Sequence, residues 1–226
     1  MANYFNLTLD TTGPASPSIS LESGATYATA QLVTATISTS DSPTTNYQMK
    51  IWGDVDTTHN PSIQTTEVAS AWISYSTSQQ VKLSTGDGSK TVYLKIRDDV
   101  YNESSQADDS IILDTTLPVV SITGPDLSKI SKVAGKNVSS FSFTVDTIFD
   151  EYKVKVVASS GAAHDTGTQI PTTAGSTNMS GSAGDYPAST PINCSIYGTD
   201  LETADSGDGT KIIKVFVKDK AGNWSV

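Results

Sequence analysis

Cysteine is nearly absent from this sequence. Cys194 is the only one in 226 residues, so no disulfide can close within one chain and no cysteine-based zinc site can be built. Its place in the apolar–polar alternation of PINCSI, with no basic neighbour in sequence, marks it as a half-buried structural thiol. Histidine is almost as scarce: His59 and His164 stand alone in loop-like stretches and read as solvent-exposed loop residues. No HxxxH, GxSxG or GxGxxG motif occurs. Positive charge is also short, with 14 Lys and Arg against 24 Asp and Glu and a net charge of −10. That balance argues against a nucleic-acid or anionic-membrane surface, which needs clustered cations. No apolar run reaches the roughly 18 residues that cross a bilayer as a helix. The opening MANYFNLTLD has neither the basic flank nor the apolar core of a secretory signal. With Met1 as the start, the chain is expected to be made in a cytoplasm without an export address.

What the sequence does hold is Ser, Thr, Gly and short alternating apolar runs, a composition suited to strands and turns. In KTVYLKIRD, Val92, Leu94 and Ile96 fall on one face and Tyr93, Lys95 and Arg97 on the other. Other inward sets are Val33, Ala35 and Ile37; Tyr47, Met49 and Ile51; Phe141, Phe143 and Val145; Tyr152, Val154 and Val156; and Ile213, Val215 and Val217. No convincing 3.6-residue period extends over ten or more residues, so the predicted class is all-β.

Two phrases recur. LDTTGP at 9–14 returns as LDTTLP at 113–118, and GDGSKTVYLKIRDDVYNES at 86–104 returns as GDGTKIIKVFVKDKAGNWS at 207–225. Internal repetition of this kind marks tandem modules. The expected organisation is an N-terminal arm over 1–13, a first immunoglobulin-like domain over 14–117 and a second over 118–226. In the first, strands are expected near 17–21, 31–38, 46–52, 63–66, 71–84 (broken or double), 90–97 and 108–113, the pattern of a sandwich without the antibody disulfide. Tyr47, Trp52 and Trp72 are its candidate bulky core fillers. Pro118 restricts the joint between domains. The LDTT copies are 104 residues apart (9 to 113) and the GDG copies 121 (86 to 207). The second domain therefore carries about 17 extra residues, expected as a surface loop in the Gly/Ser/Thr-rich stretch 159–190.

The repeat is out of phase with the chain. The first domain closes with the strand DSIILD, whereas the second stops at NWSV, where that strand would begin. The chain opens instead with YFNLTLD, which aligns with DSIILD and alternates Phe5, Leu7 and Leu9. Three readings stay open. The chain continues past 226, the first strand packs on the first domain or a partner, or the first strand of one copy completes the second domain of the next. Residues 3–10 are the candidate assembly contact, with Phe5, Leu7 and Leu9 as its pocket-filling side chains.

Other chemistry is sparse. GDGSKT lacks the spacer of a phosphate loop and leads into a strand, so it reads as a tight turn. Asp98 and Asp99, Asp108 and Asp109, Asp10 and Asp114, and Glu202, Asp205 and Asp208 lie near predicted loops or joints where calcium could find oxygen ligands, but no EF-hand or nonapeptide repeat is present, and they read as solvated turn carboxylates. Neither cofactor nor metal is expected. Asn-x-Ser/Thr triplets start at Asn6, Asn102, Asn137, Asn178, Asn193 and Asn223, and carry little weight as glycan sites in a Ser/Thr-rich chain. Among the aromatics Trp52, Trp72, Tyr75, Tyr101 and Trp224, the candidates for a surface contact are Trp224 and Tyr101, in matching phrases of the two repeats.

VYLKIRDDVYNES with DSIILDTTLP, and KVFVKDKAGNWS with LDTTGP, resemble the closing strands of bacterial and bacteriophage Ig-like repeat domains. The resemblance covers nearly the whole chain and departs from the pattern at the absent last strand. It implies a non-enzymatic virion structural protein of tail, baseplate or capsid decoration. Its partners would be other virion proteins, itself head-to-tail through the N-terminal strand, or a host-surface glycan, with neither nucleic acid nor membrane insertion. The alternative is a bacterial cell-surface adhesin or carbohydrate-binding module.

Overall fold

A computed structural model describes residues 4–226. Residues 1–3, which begin the arm 1–13 and include the first residue of the stretch 3–10, lie outside the described residues. The chain forms two compact units, Met1–Thr115 and Thr116–Val226.

In the first unit, alternation sorts the described residues into eight strands: β1 (Ser18–Leu21), β2 (Tyr27–Ala28), β3 (Leu32–Ser38), β4 (Gln48–Gly53), β5 (Ile73–Ser74), β6 (Ser78–Lys82), β7 (Gly88–Arg97) and β8 (Ala107–Leu113). One sheet runs β1-β3-β6 and the other β2-β8-β7-β4-β5. Every pair is antiparallel except β2 with β8. This is the strand order of an immunoglobulin-type sandwich, A-B-E facing A′-G-F-C-C′. The core is the meeting of the two inner faces: Val33, Ala35 and Ile37 from one sheet pack against Met49, Ile51, Val92, Leu94 and Ile96 from the other. Ile111 and Leu113 of β8 complete it.

Some expectations change. Residues 63–66 are not a strand; Ile63 is buried, but Gln64 makes only a single bridge to Trp52. The stretch 71–84 divides into β5 and β6. Trp52 is buried on the outer face of its sheet, stacked on Tyr93 at 5.7 Å, rather than in the core. Tyr47 packs against the core in part, and Trp72 is half-buried beneath Lys50 and Arg97.

The second unit repeats the plan with β9 (Val120–Thr123), β10 (Val138–Val145), β11 (Phe149–Val157), β12 (Thr168–Gln169), β13 (Ser180–Gly181), β14 (Ile192–Tyr197), a helix α1 (Gly198–Ala204) and β15 (Ile212–Asp219). One sheet is β14-β10-β9; in the other, β11 pairs with β12, β13 and β15. Its core is aromatic: Phe143, Phe149 and Tyr152 meet with ring centroids 5.2 to 6.5 Å apart. The 159–190 stretch is more than a surface loop. It buries Ile170 and Met179, and Tyr186 stacks on Phe149 at 4.9 Å. Lys214 Nζ donates to the carbonyls of Ser160 and Ala162, and Lys155 Nζ to those of His164 and Thr166, so two lysines latch its first half. Cys194 is buried more deeply than a half-buried thiol, and burial pushes its pKa up to about 12. Its thiol points at the Asn178 carbonyl.

The shared phrase DxxxNxS explains itself as a corner. Asp98 accepts hydrogen bonds from the N–H groups of Val100 and Asn102 and from the Asn102 side chain. Asp219 accepts a similar set, shifted by one residue at its first member, from the N–H groups of Gly222 and Asn223 and from the Asn223 side chain. Ser104 and Ser225 then accept from the N–H of Ile96 and Val217, each at 3.0 Å. Both carboxylates are buried, at 2% and 4% exposure, so they serve the turn and not solvent. Asn223 is buried as well, which removes it as a glycan acceptor. Replacing Asp98 or Asp219 by Ala leaves several N–H donors unpaired and should cost the affected unit about 3 kcal/mol. Urea denaturation checks this; a change within 0.5 kcal/mol, about the scale of an ordinary surface substitution, would contradict it.

Candidate functional site

A strand with neighbours on both sides satisfies all its backbone donors and acceptors, and an unpaired edge does not. In the first unit, β7 lies between β4 and β8. In the second, β15 occupies the place of β7 and pairs only with β11 among the described residues. At the lower end of its other side, the Ser225 N–H donates to the Val217 carbonyl, the Val217 N–H donates to the Ser225 hydroxyl, and Lys218 forms a β-bridge with Trp224. By the period-two alternation of a strand, Ile213 and Val215 present their N–H and C=O groups to the same open side as Val217.

The open edge has an apolar groove beside it. Between β15 and β9 lies a space of about 610 Å³ lined by Ile122, Leu127, Phe141, Leu201, Ile213 and Val215. Ile122 and Leu127 are 49% and 44% exposed. Phe141, expected inward, is only partly buried because it faces this space. Val92, the residue matching Ile213 in the first unit, is fully buried under β8. Ile111 and Leu113 fill there what is open here.

Two carboxylates hold the walls. Asp126, on the rim after Pro125, accepts the N–H groups of Ser140 and Leu127 and the hydroxyl of Ser139. The Ser140 N–H is the main cause that lowers its pKa. Asp200 in α1, next to Leu201, is fully buried. It accepts the Thr173 hydroxyl and the N–H groups of Ala174 and Ser176. Burial raises its pKa, but these donors outweigh it and the net shift is downward. The helix was invisible to periodicity because seven residues make only two turns.

The structure places the sequence-derived candidates apart. Phe5, Leu7 and Leu9 lie on the arm of the first unit, each 84 to 86% exposed. The root of that arm is fixed: Asn102 Nδ2 donates to the Asp10 carbonyl, and a Cβ at Gly13 would collide with the Glu103 carbonyl oxygen. Tyr101 is exposed, with Arg97 stacked 4.3 Å from its ring and 4.4 Å from that of Trp72. Trp224 is half-buried, stacked on His164 at 4.5 Å and within cation–π range of Lys153 and Lys218. His164 is thus a packing partner and not a free loop residue, while His59 is exposed. No group of three or more His, Cys, Asp or Glu that could hold a metal occurs among the described residues. None of the described helices is long and apolar enough to cross a membrane.

Asp200 stabilises the second unit at pH above its ordinary value of 3.8, and that contribution is lost as pH falls through the depressed folded-state value. Asp200→Asn should therefore lower the urea midpoint at neutral pH, with the gap to the parent closing in acid. A gap independent of pH would contradict the linkage.

No protein-family model and no curated protein matches the chain. Among solved structures, it is similar to the fibronectin(III)-like modules of Clostridium thermocellum CbhA, with 9% identity, 92% of this chain and 89% of that chain covered, and a TM-score of 0.45. It is also similar to chitinase ChiA74 from Bacillus thuringiensis, with 14% identity, 92% of this chain and 30% of that one covered, and a TM-score of 0.31. It is the strand order of the two units that makes this chain a pair of immunoglobulin-like β-sandwich modules.

Proposed function

We propose that the chain is a non-enzymatic structural component of a bacteriophage particle, in the tail, the baseplate or a capsid decoration. Its Ig-like modules mediate assembly or contact with the host surface. The observation that carries this reading is the open edge of β15 with its apolar groove, in a module whose tandem sibling has the same edge covered. An unpaired edge beside apolar side chains is a template for strand addition, in which main-chain bonds give affinity and alternate side chains give fit. The acidic net charge of −10 suits a protein packed at high local density without binding nucleic acid. The resemblance of the closing strands to phage and bacterial Ig-like repeats supplies the setting.

A second reading, a surface adhesin or carbohydrate-binding module, rests on the exposed Tyr101 beside Trp72 and Arg97. The two part company in one experiment. Gradient-purified particles from lysed cultures should contain the chain at fixed stoichiometry by quantitative mass spectrometry, and Tyr101→Ala should leave that incorporation unchanged. Absence from particles, together with glycan binding that Tyr101→Ala abolishes, would replace the virion reading by the second one.

A further inference from the structure

The two repeated phrases are halves of one contact. In the first unit, the strand ending in LDTT (β8) lies along the strand beginning in GDG (β7), with Gly88 opposite Leu113, Lys90 opposite Ile111 and Val92 opposite Asp109. Beyond the last pair, Thr115 clasps the GDG turn: its N–H and hydroxyl both donate to Asp87 Oδ1, at 3.0 and 2.8 Å. So the first GDG strand has an LDTT strand as its partner, and the pairing is sealed by a threonine on the turn aspartate.

The described residues hold one unmatched half of each kind. The second GDG phrase leads into β15, whose outer edge is open. The first LDTT phrase ends the arm, where Tyr4, Phe5, Leu7 and Leu9 are all at least 78% exposed. We infer that residues 4–9 of one copy pair with β15 of a second copy, supplying the last strand of its second module. The proposal rests on the assembly reading above and names its partner.

The repeat fixes the register. Shifting β8 back by the LDTT spacing and β7 forward by the GDG spacing sets Leu9 opposite Gly209, Leu7 opposite Lys211 and Phe5 opposite Ile213. Phe5, Leu7 and Leu9 then fall on the face held in the first unit by Asp109, Ile111 and Leu113, the last two of which are buried. That face turns into the groove walled by Ile122, Leu127 and Phe141. Leu7 and Leu9 restore the volume that Ile111 and Leu113 supply to the first unit. Phe5 stands where the first unit has an aspartate that accepts the Leu21 N–H at 2.7 Å, so the intermolecular version is the more apolar of the two. Thr11 takes the place of Thr115, and its clasp is Asp208, which also lines the groove. Tyr4 and Asn6 lie on the outer face.

Both halves of the contact are rooted. The arm springs from a base fixed at Gly13 against the backbone of Glu103, and the groove is held by Asp126 and Asp200. Arm and groove are different surfaces, so the contact is heterologous, and each copy keeps one free half after using the other. The product is a ring or a filament. In it, a strand followed by LDTT and, two residues later, Pro leads into the next module at every joint, whether the joint is covalent (113–118) or not (9–14).

The test uses the full chain, a version lacking residues 1–10, and Leu7→Asp combined with Leu9→Asp. The double variant alters only exposed side chains and so should fold. Light scattering across a dilution series should show the full chain forming rings or polymers. Both altered versions should be monomeric, with self-association weakened roughly a hundredfold or more, the order expected for two leucines kept from burial. Register is read separately with Asn6→Cys plus Ile212→Cys, residues that face each other across the proposed pair. Oxidation should yield a ladder of covalent oligomers on a non-reducing gel, whereas Asn6→Cys plus Ser78→Cys should yield none. Folded monomers for every version, or self-association unaffected by loss of the arm, would overturn the proposal. If the full chain is monomeric yet present in purified particles, a different strand fills the edge and the virion reading stands. If it is monomeric and absent from particles, both fall.

Discussion

The outer edge of the strand that follows each GDG turn imposes the constraint on which the rest depends. Its alternate residues point N–H and C=O groups away from the neighbour they already have, and those groups need a second partner. In the first unit β8 provides it and brings Ile111 and Leu113 into the core with the same stroke. Backbone pairing and core closure are therefore one event. In the second unit no strand lies along this edge among the described residues: Ile213 and Val215 keep open backbone groups, and Ile122, Leu127 and Phe141 stay partly uncovered.

Elsewhere the second unit is closed by its own contacts. The corner built by Asp219, Asn223 and Ser225 closes the lower end of β15. The aromatic cluster of Phe143, Phe149, Tyr152 and Tyr186 lies toward the other side of the sandwich and draws the inserted stretch onto the core. Lys155 and Lys214 pin that stretch through carbonyls, and Asp200 ties it to α1. The unit is thus well packed on one flank, while the outer side of β15 is open among the described residues.

Much of the fold was legible because strands announce themselves by a period of two. Val92, Leu94 and Ile96, or Tyr152, Val154 and Val156, need only alternate to declare their face. What escaped was whatever is shorter than a period or buried on the wrong face. β2 spans two residues and is defined by its parallel partner, not by its own pattern. Phe216 is fully buried although it lies on the face opposite Val215 and Val217, where alternation predicts solvent, and the Lys214 ammonium sits over its ring. Trp52 deceived in the same way, hiding against Tyr93 on an outer face. Of the candidate site, the phase slip of the repeats was visible in the letters alone. The groove was not, since its walls come from β9, α1, β15 and the segment after Pro125, which no local pattern brings together.

The central claim is that β15 carries an edge awaiting a strand from another copy. Hydrogen exchange along residues 212–219, followed by mass spectrometry as the protein is diluted, tests it most directly. The account predicts that the amides of Ile213 and Val215 are protected at high concentration and exchange fast in dilute solution and in the chain lacking residues 1–10. Exchange that is equally fast at every concentration, with or without the arm, would contradict it.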